Sequence, residues 1–274
     1  MTPSLTPERI RAFLETIRSR FLANPRPLPW RETDNPYRIL VSEMMLQQTQ
    51  VERVAVKYGE FLRAFPDILT LAAAQFREVL AVWQGLGYNR RALNLHRIAR
   101  IITDEYDGVI PADPDILETL PGIGHATARE IAAFAYQVPS AFIETNIRRV
   151  FIHFFFEGRE GIRDRDILPL VEATLDRENP REWYYALMDY GVMLKKTIPN
   201  PNIRGARRRP QSPFHGSFRQ VRGMILRLLT SEPVLGEAEI AERIGKTAES
   251  TAKALRELVE EGFLRQDEDG YRVR

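Results

Sequence analysis

The chain has 274 residues, 44% of them hydrophobic and 28% charged, with a formal net charge of +2 and no cysteine. That length suits two domains or one large domain with an appendage, and the composition supports a proper core under a charged surface. Without cysteine there is no disulfide, no thiolate metal site, no iron–sulfur cluster and no cysteine nucleophile. No stretch approaches the ~18 uncharged residues of a membrane span, and the N-terminus lacks a basic-then-apolar signal. No membrane partner is therefore expected, and the reading is cytoplasmic (nucleoid-associated in a prokaryote). The total charge does not announce a nucleic-acid binder, but Lys195 to Arg209 hold six basic residues and no acid.

Taken in chain order, the pattern predicts an all-α protein. Ile10, Phe13, Leu14, Ile17 and Phe21 recur at helical spacing over 7–22. A second helix, "YRILVSEMMLQQTQ", starts after Pro36, and "VERVAVKYGEFLRAF" follows up to Pro66. "TLAAAQFREVLAVW" reads as one helix ending near Gly85, and "NRRALNLHRIARIITDEY" as another that stops at Asp107-Gly108. "PDILETL" is a short helix, and "GHATAREIAAFAYQ" begins directly behind the glycines of "LPGIG". Helices over about 148–157, 166–177 and 181–194 complete this part, with no strand expected before residue 260 and no internal repeat. The Pro- and Arg-rich stretch 197–214 reads as a basic linker. Beyond it, helices over 217–230, 236–244 and 247–261 precede two short strands around Asp269-Gly270, the plan of a winged helix. Such a domain reads DNA by placing its third helix, Thr247–Glu261, in the major groove. It serves equally as a protein-binding or dimerising module, and residues 215–274 carry ten basic and eleven acidic side chains.

Four short stretches bear chemistry. In "LPGIGHATA", Leu120 to Ala128, two glycines between helices permit a tight hairpin, and the following helix start favours a phosphate. The competing role is a packing joint, for which Pro121 and Thr127-Ala128 are not needed. In "SEMMLQQTQV", Ser42 to Val51, Glu43 lies in an apolar helix. It is either a rim residue or a partly buried carboxyl with a raised pKa that acts as a general acid. Gln47, Gln48 and Gln50 are either solvated or inserted into a duplex. "WQGLGYNRRA", Trp83 to Ala92, is a glycine-broken turn with Leu86 and Tyr88 expected to be exposed on it. It forms either a wedge between bases or a cap folded onto the core. In "AFIETNIRRV", Ala141 to Val150, Glu144 taken alone is one carboxylate among 37 acidic residues.

"LPWR…NPYRILVSEMMLQQTQV", "VLAVWQGLGYNRRALNLHRIA", "LPGIGHATA" and "LMDYGVM", in this order and spacing, closely resemble the helix-hairpin-helix DNA glycosylases of the MutY adenine-glycosylase type over about residues 8–195. The resemblance implies two helical subdomains with a DNA-binding cleft, followed here by the small winged helix. The glycosylase part would be 1–196, with six helices over about 29–136 and a second part made of the N-terminal helix plus about 137–196. A basic linker over 197–214 and a winged helix over 215–274 would follow. The implied reaction flips a base out of double-stranded DNA and breaks its bond to the sugar. Glu43 would protonate the purine, Glu144 would stabilise the positive charge developing on the sugar, and Asn146 would stand beside it. Gln48 and Tyr88 would invade the stack, with Thr49 and Leu86 near the opposite base. Gly122, Gly124 and His125 would hold the phosphate backbone, and Arg31 and Ala126 would line the base pocket. A monomer is implied, and a monovalent cation at the hairpin is left open.

The sequence departs from the family pattern in four places. Glu144 replaces an aspartate, so an unchanged backbone moves the carboxylate by ~1.5 Å, and ~1 Å can cost ~100-fold in rate. Ala126 stands where bifunctional relatives carry a Schiff-base lysine and many MutY-type relatives a serine or tyrosine, which favours a monofunctional enzyme. The four cluster-cysteine positions hold Lys195, Asn202, Gly205 and Gln211, so no iron–sulfur cofactor is expected. Arg204, Arg207, Arg208 and Arg209 fill the loop and suit phosphate contact. The winged helix replaces the family's lesion-sensing domain. Adenine opposite guanine or oxidised guanine is the expected target. The rivals are thymine or uracil opposite guanine, and non-catalytic binding of damaged DNA.

Overall fold

A computed structural model describes residues 6–206 and 213–274. The described α-helices are α1 (Pro7–Ala23), α2 (Pro36–Leu46), α3 (Val51–Ala64), α4 (Ile68–Ala73), α5 (Phe76–Trp83), α6 (Arg90–Glu105), α7 (Pro114–Thr119), α8 (His125–Tyr136), α9 (Thr145–Phe155), α10 (Asp164–Thr174), α11 (Pro180–Thr197), α12 (Phe218–Ser231), α13 (Glu237–Ile244) and α14 (Ala248–Glu260). A hairpin of β1 (Leu264–Asp267) and β2 (Gly270–Val273) ends the chain. The chain divides into two compact units, one of residues 1–43 with 111–209 and the other of 44–110 with 210–274. None of the described helices is long and apolar enough to cross a membrane.

The first unit is organised around α9 and α11, with α1 across them. Phe13 of α1 is the centre of this packing: its ring meets Phe151 at 5.3 Å, Phe155 at 5.1 Å and Trp183 at 5.9 Å. Tilted and edge-on geometries of this kind add to the area that each ring buries. Phe142, ahead of α9, lies against Tyr184 of α11 with ring centroids 4.0 Å apart, and the Tyr184 hydroxyl donates to the Ser140 carbonyl at 2.7 Å. Behind α11 the chain does not leave the unit at once. A 3-10 turn, Pro201–Arg204, returns to α9, where Asn200 accepts from Arg149 Nε at 3.0 Å and Asn202 donates to the Thr145 carbonyl at 2.9 Å. Residues 203–206 then bridge to Ile162, whose N–H donates to the Arg204 carbonyl at 3.1 Å.

In the second unit α3–α6 carry the winged helix on α5 and α6. The stretch "TLAAAQFREVLAVW", expected as one helix, is two. It breaks at Ala74-Gln75, where Gln75 and Glu78 form a reciprocal cap at the start of α5 and the Ala74 carbonyl turns to His96 Nε2 at 3.0 Å. A capped restart satisfies amides that a continuous helix would otherwise have bonded along its length, so helical spacing alone cannot show it. Phe76 stacks on His96 at 5.8 Å and meets Phe263 of the wing at 6.0 Å. Arg77 donates to the carbonyls of Thr230 and Ser231 at 2.9 and 3.0 Å, which caps the last turn of α12. Arg90 pairs with Glu261 at 2.6 Å, and Arg97 donates to the Glu261 carbonyl at 2.9 Å. Within the wing β1 and β2 pair antiparallel, Leu264 opposite Val273 and Asp267 opposite Gly270, and Leu235 adds an antiparallel bridge to Tyr271.

Phe263 is 1% exposed and shared between the wing and α5. Phe263→Ala is expected to lower the unfolding free energy by about 3–5 kcal/mol, the usual cost of emptying a phenylalanine site. Denaturant titration followed by tryptophan fluorescence reads this. Retained stability would mean that the wing does not use this contact.

Candidate active site

Three carboxylic acids converge in the first unit. Glu43, on the second turn of α2, is 7% exposed. Its carboxyl is hydrogen-bonded to that of Glu130 on α8, and Glu144 lies close enough to both to repel them. Burial, first, and the charge of Glu144 push Glu43 up to about 7, against the pull of the Glu130 hydrogen bond and the Arg31 charge. Glu130 rises well above the ordinary carboxylate range, from burial and then from the charges of Glu43 and Glu144. Like charges in a poorly solvated site cannot all ionise, so protons remain in this cluster at neutral pH.

Glu144 is fixed differently. It is the N-cap of α9: its Oε1 accepts from the N–H groups of Asn146 at 2.6 Å and Ile147 at 2.8 Å, and its Oε2 accepts from Asn146 Nδ2 at 3.2 Å. Burial raises its pKa, while those donors and Arg149 oppose the rise. Asn146 is held in turn by Arg149, whose Nη1 donates to Asn146 Oδ1 at 2.6 Å and to the Gly191 carbonyl at 2.7 Å. Gly191, in the middle of α11, has to be glycine, because a Cβ there would stand 2.6 Å from both the Cβ and the carbonyl oxygen of Asn146.

Arg31 completes this side of the site. Its guanidinium donates to both oxygens of Asp189 at 2.8 and 2.9 Å and lies 4.4 Å from the Tyr185 ring centre. Asp189 also accepts the Arg26 N–H at 3.1 Å. Ala126 is half-buried against the core of the unit and lies one turn before Glu130 on α8, so the two share a face. No group of three or more His, Cys, Asp or Glu among the described residues is arranged to hold a metal ion.

The hairpin belongs to the same unit. Gly122 takes a φ of +79°, a left-handed conformation that glycine adopts without strain, and Gly124 caps the start of α8. Ile123 between them points into the core at 4% exposure, with its N–H on the Leu120 carbonyl at 3.1 Å. His125 is exposed and meets Glu118 at 3.2 Å, and Glu118 also accepts from Arg129 at 2.9 Å. Both glycines are exposed at the positive end of α8, which suits a phosphate.

The candidate wedge residues lie in the second unit. Gln48 and Tyr88 both have positive φ, 55° and 48°, and both are exposed. A non-glycine residue in that region is uncommon and marks a conformation that its surroundings impose. Between the two turns lies Arg91, which the motif reading passed over. Its guanidinium donates to the carbonyls of Met44 and Met45 at 3.0 and 2.6 Å, to Thr49 Oγ1 at 2.8 Å and to the Gly87 carbonyl at 3.1 Å. One buried arginine thus ties the two turns together. Leu86, expected to be exposed, is instead 2% exposed: Gly85 and Gly87 on either side take φ of 94° and 73° and turn the leucine inward. Of the four arginines offered for phosphate contact, Arg204 donates to the Phe156 and Ile152 carbonyls at 2.8 and 3.3 Å, closing the end of α9. Arg207, Arg208 and Arg209 lie outside the described residues.

Comparison with known proteins bears on the family and the fold. Residues 41–167 match the HhH-GPD family, described as HhH-GPD superfamily base excision DNA repair protein, and residues 223–268 match the IclR helix-turn-helix domain. An adenine DNA glycosylase of Mycolicibacterium smegmatis is 36% identical over 267 residues, 89% of this chain and 90% of that one. A thymine/uracil-DNA glycosylase of Pyrobaculum aerophilum is 31% identical over 171 residues, 60% of this chain and 74% of that one. The solved structure of a thermostable thymine-DNA glycosylase superposes with a TM-score of 0.61 at 23% identity, covering 68% of this chain and 87% of that one. The chain belongs to the helix-hairpin-helix base excision DNA glycosylases, in their MutY-like adenine glycosylase branch.

Besides Arg91, the sequence reading missed Glu130, Asp189 and Arg149. The signal for Glu130 was its spacing of four from Ala126, which turns it to the same face of α8. Its hydrogen bond lowers the Glu43 pKa from what burial alone would give. Glu130→Ala is therefore expected to move the alkaline limb of the excision rate to higher pH, because Glu43 then keeps its proton longer. Glu130→Gln retains a donor and should leave that limb near the wild-type position. Single-turnover rates against pH decide, and an unmoved limb in the alanine variant would remove Glu130 from this role.

Proposed function

We propose that the chain is a monofunctional glycosylase that hydrolyses adenine from double-stranded DNA, acting on adenine opposite guanine or oxidised guanine. The supporting observation is a buried acid, Glu43, with a pKa of about 7 beside a capped carboxylate, Glu144. The adenine assignment draws on the Mycolicibacterium relative's similarity over nine-tenths of both chains. In this reading Glu43 gives its proton to the flipped purine as the bond between sugar and base breaks, and the bonding electron pair leaves with the base. Glu144 faces the positive charge that develops on the sugar, held there by amides set before the substrate arrives. Water then supplies the hydroxyl to the sugar carbon and releases a proton. The only lysines of the first unit, Lys195 and Lys196, stand in the last turn of α11, and Ala126 offers no amine. That supports hydrolysis without a Schiff base. The enzyme would work as a monomer in the cytoplasm or on the nucleoid, without an iron–sulfur cluster, because a chain lacking cysteine has no thiolate for one.

Ala126 favours a second reading, a pyrimidine opposite guanine, since a missing side chain beside the base changes the pocket's shape. The thymine/uracil relative points in the same direction.

A panel of mismatched duplexes, with Glu43→Gln as control, separates these readings. Adenine release at least ~100-fold above the control is expected, in line with the loss of a general acid. Pyrimidine release with adenine untouched would replace the first reading by the second, and no release at all would refute both. Activity should fall as pH rises through about 7, where Glu43 loses the proton it must donate. Glu144→Asp retains a good N-cap and is expected to stay active. Glu144→Gln leaves the site without its negative charge and is expected to lose ~100-fold or more. Equal rates for Glu144→Gln and wild type would rule out charge stabilisation by Glu144.

A further inference from the structure

The second unit contains a pocket of about 800 Å³ between α5–α6 and the wing, and neither wedge nor acid chemistry uses it. Six arginines line it: Arg77, Arg97 and Arg100 from the helices, and Arg265, Arg272 and Arg274 from the hairpin. No aspartate or glutamate is among its lining residues. The stacked pair of Phe76 and His96 is among its lining, and burial pushes the His96 pKa down, which favours the neutral imidazole, so the positive charge of the pocket comes from the arginines.

Elsewhere in this chain arginines sit on carboxylates: Arg148 on Asp164, Arg222 on Glu257 and Glu261, Arg243 on Glu232 and Glu239. In the pocket, Arg77 and Arg97 hold carbonyls, and of the six arginines Arg272 pairs with carboxylates, those of Asp267 and Asp269. The Nε of Arg272 is buried without a hydrogen-bond partner. Arg97 and Arg274 converge over Gly262, where a Cβ would meet Arg97 Nη2 at 2.6 Å and Arg274 Nη1 at 3.6 Å. Guanidinium groups gathered in this way repel one another unless an anion lies between them. Planar forks with several donors fit the oxygens of a phosphate. The exposed face of α14, by contrast, carries two acids and two bases, Glu249, Lys253, Arg256 and Glu260, with no net positive charge to offer a DNA groove.

We infer that this pocket binds phosphate groups, and that the winged helix contributes to it through its hairpin rather than through its third helix. The phosphates come from one of two sources, a stretch of duplex backbone or a free nucleotide, and the chemistry is shared. The inference does not depend on which base is excised.

The test uses the full chain with Arg100→Ala and Arg265→Ala combined, two exposed side chains outside the acid cluster. Binding of a matched duplex is measured by anisotropy over a salt series, and binding of a nucleoside triphosphate by calorimetry. If duplex backbone occupies the pocket, the slope of log affinity against log salt falls by about 2, at ~0.9 per lost contact. A control with Arg11→Ala and Arg63→Ala should leave that slope nearly unchanged. If a free nucleotide is the ligand, the wild type binds the triphosphate, the double variant binds it at least ten-fold more weakly, and the duplex slope stays. An unchanged slope with no triphosphate binding overturns the inference, and so does an equal loss in the control.

Discussion

The geometry of the acid site depends on the approach of α11 to the first turn of α9. Gly191 leaves no room for even a methyl group against Asn146, and its carbonyl takes one of the Arg149 hydrogen bonds. Arg149 then orients Asn146, and Asn146 together with the first amides of α9 orients Glu144. Each link is short-range and directional. The position of the carboxylate therefore follows from how two helices pack, and the 3-10 turn from Asn200 to Arg204 braces the same helix from its other side. That bracing segment uses Asn200, Asn202 and Arg204, of which only Asn202 stands at a position that the family resemblance assigns to a cluster cysteine.

The replacement of aspartate by glutamate at 144 looks severe when only chain length is considered. Aspartate is a preferred N-cap residue and glutamate is not, but here the amides of Asn146 and Ile147 both bond to the Glu144 carboxylate at the cap of α9. The extra methylene is accommodated within the cap, and Ala126 removes bulk from the face of α8 that carries Glu130. Both differences lie in one unit. They read as parts of a single rearrangement.

Much of this was legible in the residues alone. "LPGIGHATA" pointed to the hairpin because glycine is the residue that adopts a left-handed turn without strain ahead of a helix start, and "SEMMLQQTQV" put an acid inside an apolar helix. For Glu130 the spacing from Ala126 gave the face of α8 but not the role, since one carboxylate in the amphipathic helix "HATAREIAAFAY" has the same pattern as a solvated one. Its meaning comes from α2, which is distant in sequence. Leu86 was misread because exposure on a turn depends on the φ of its glycine neighbours, which sequence does not report. Arg91, Arg149 and Asp189 carry no motif; each acts by joining segments that are separated along the chain. The break at Ala74-Gln75 depends on a local cap stronger than the surrounding periodicity.

The cap of α9 has a consequence for how the site responds to damage or drift. Because Glu144, the group proposed to face the sugar, also closes a helix end, its orientation is part of the folded state, and the proposed role needs no rearrangement when DNA arrives. Catalytic readiness and local order are then the same property measured in two ways. A lineage that altered this residue would alter both together, and the surviving substitutes would be those that remain negative and still bond to two amides. Glutamate meets both conditions.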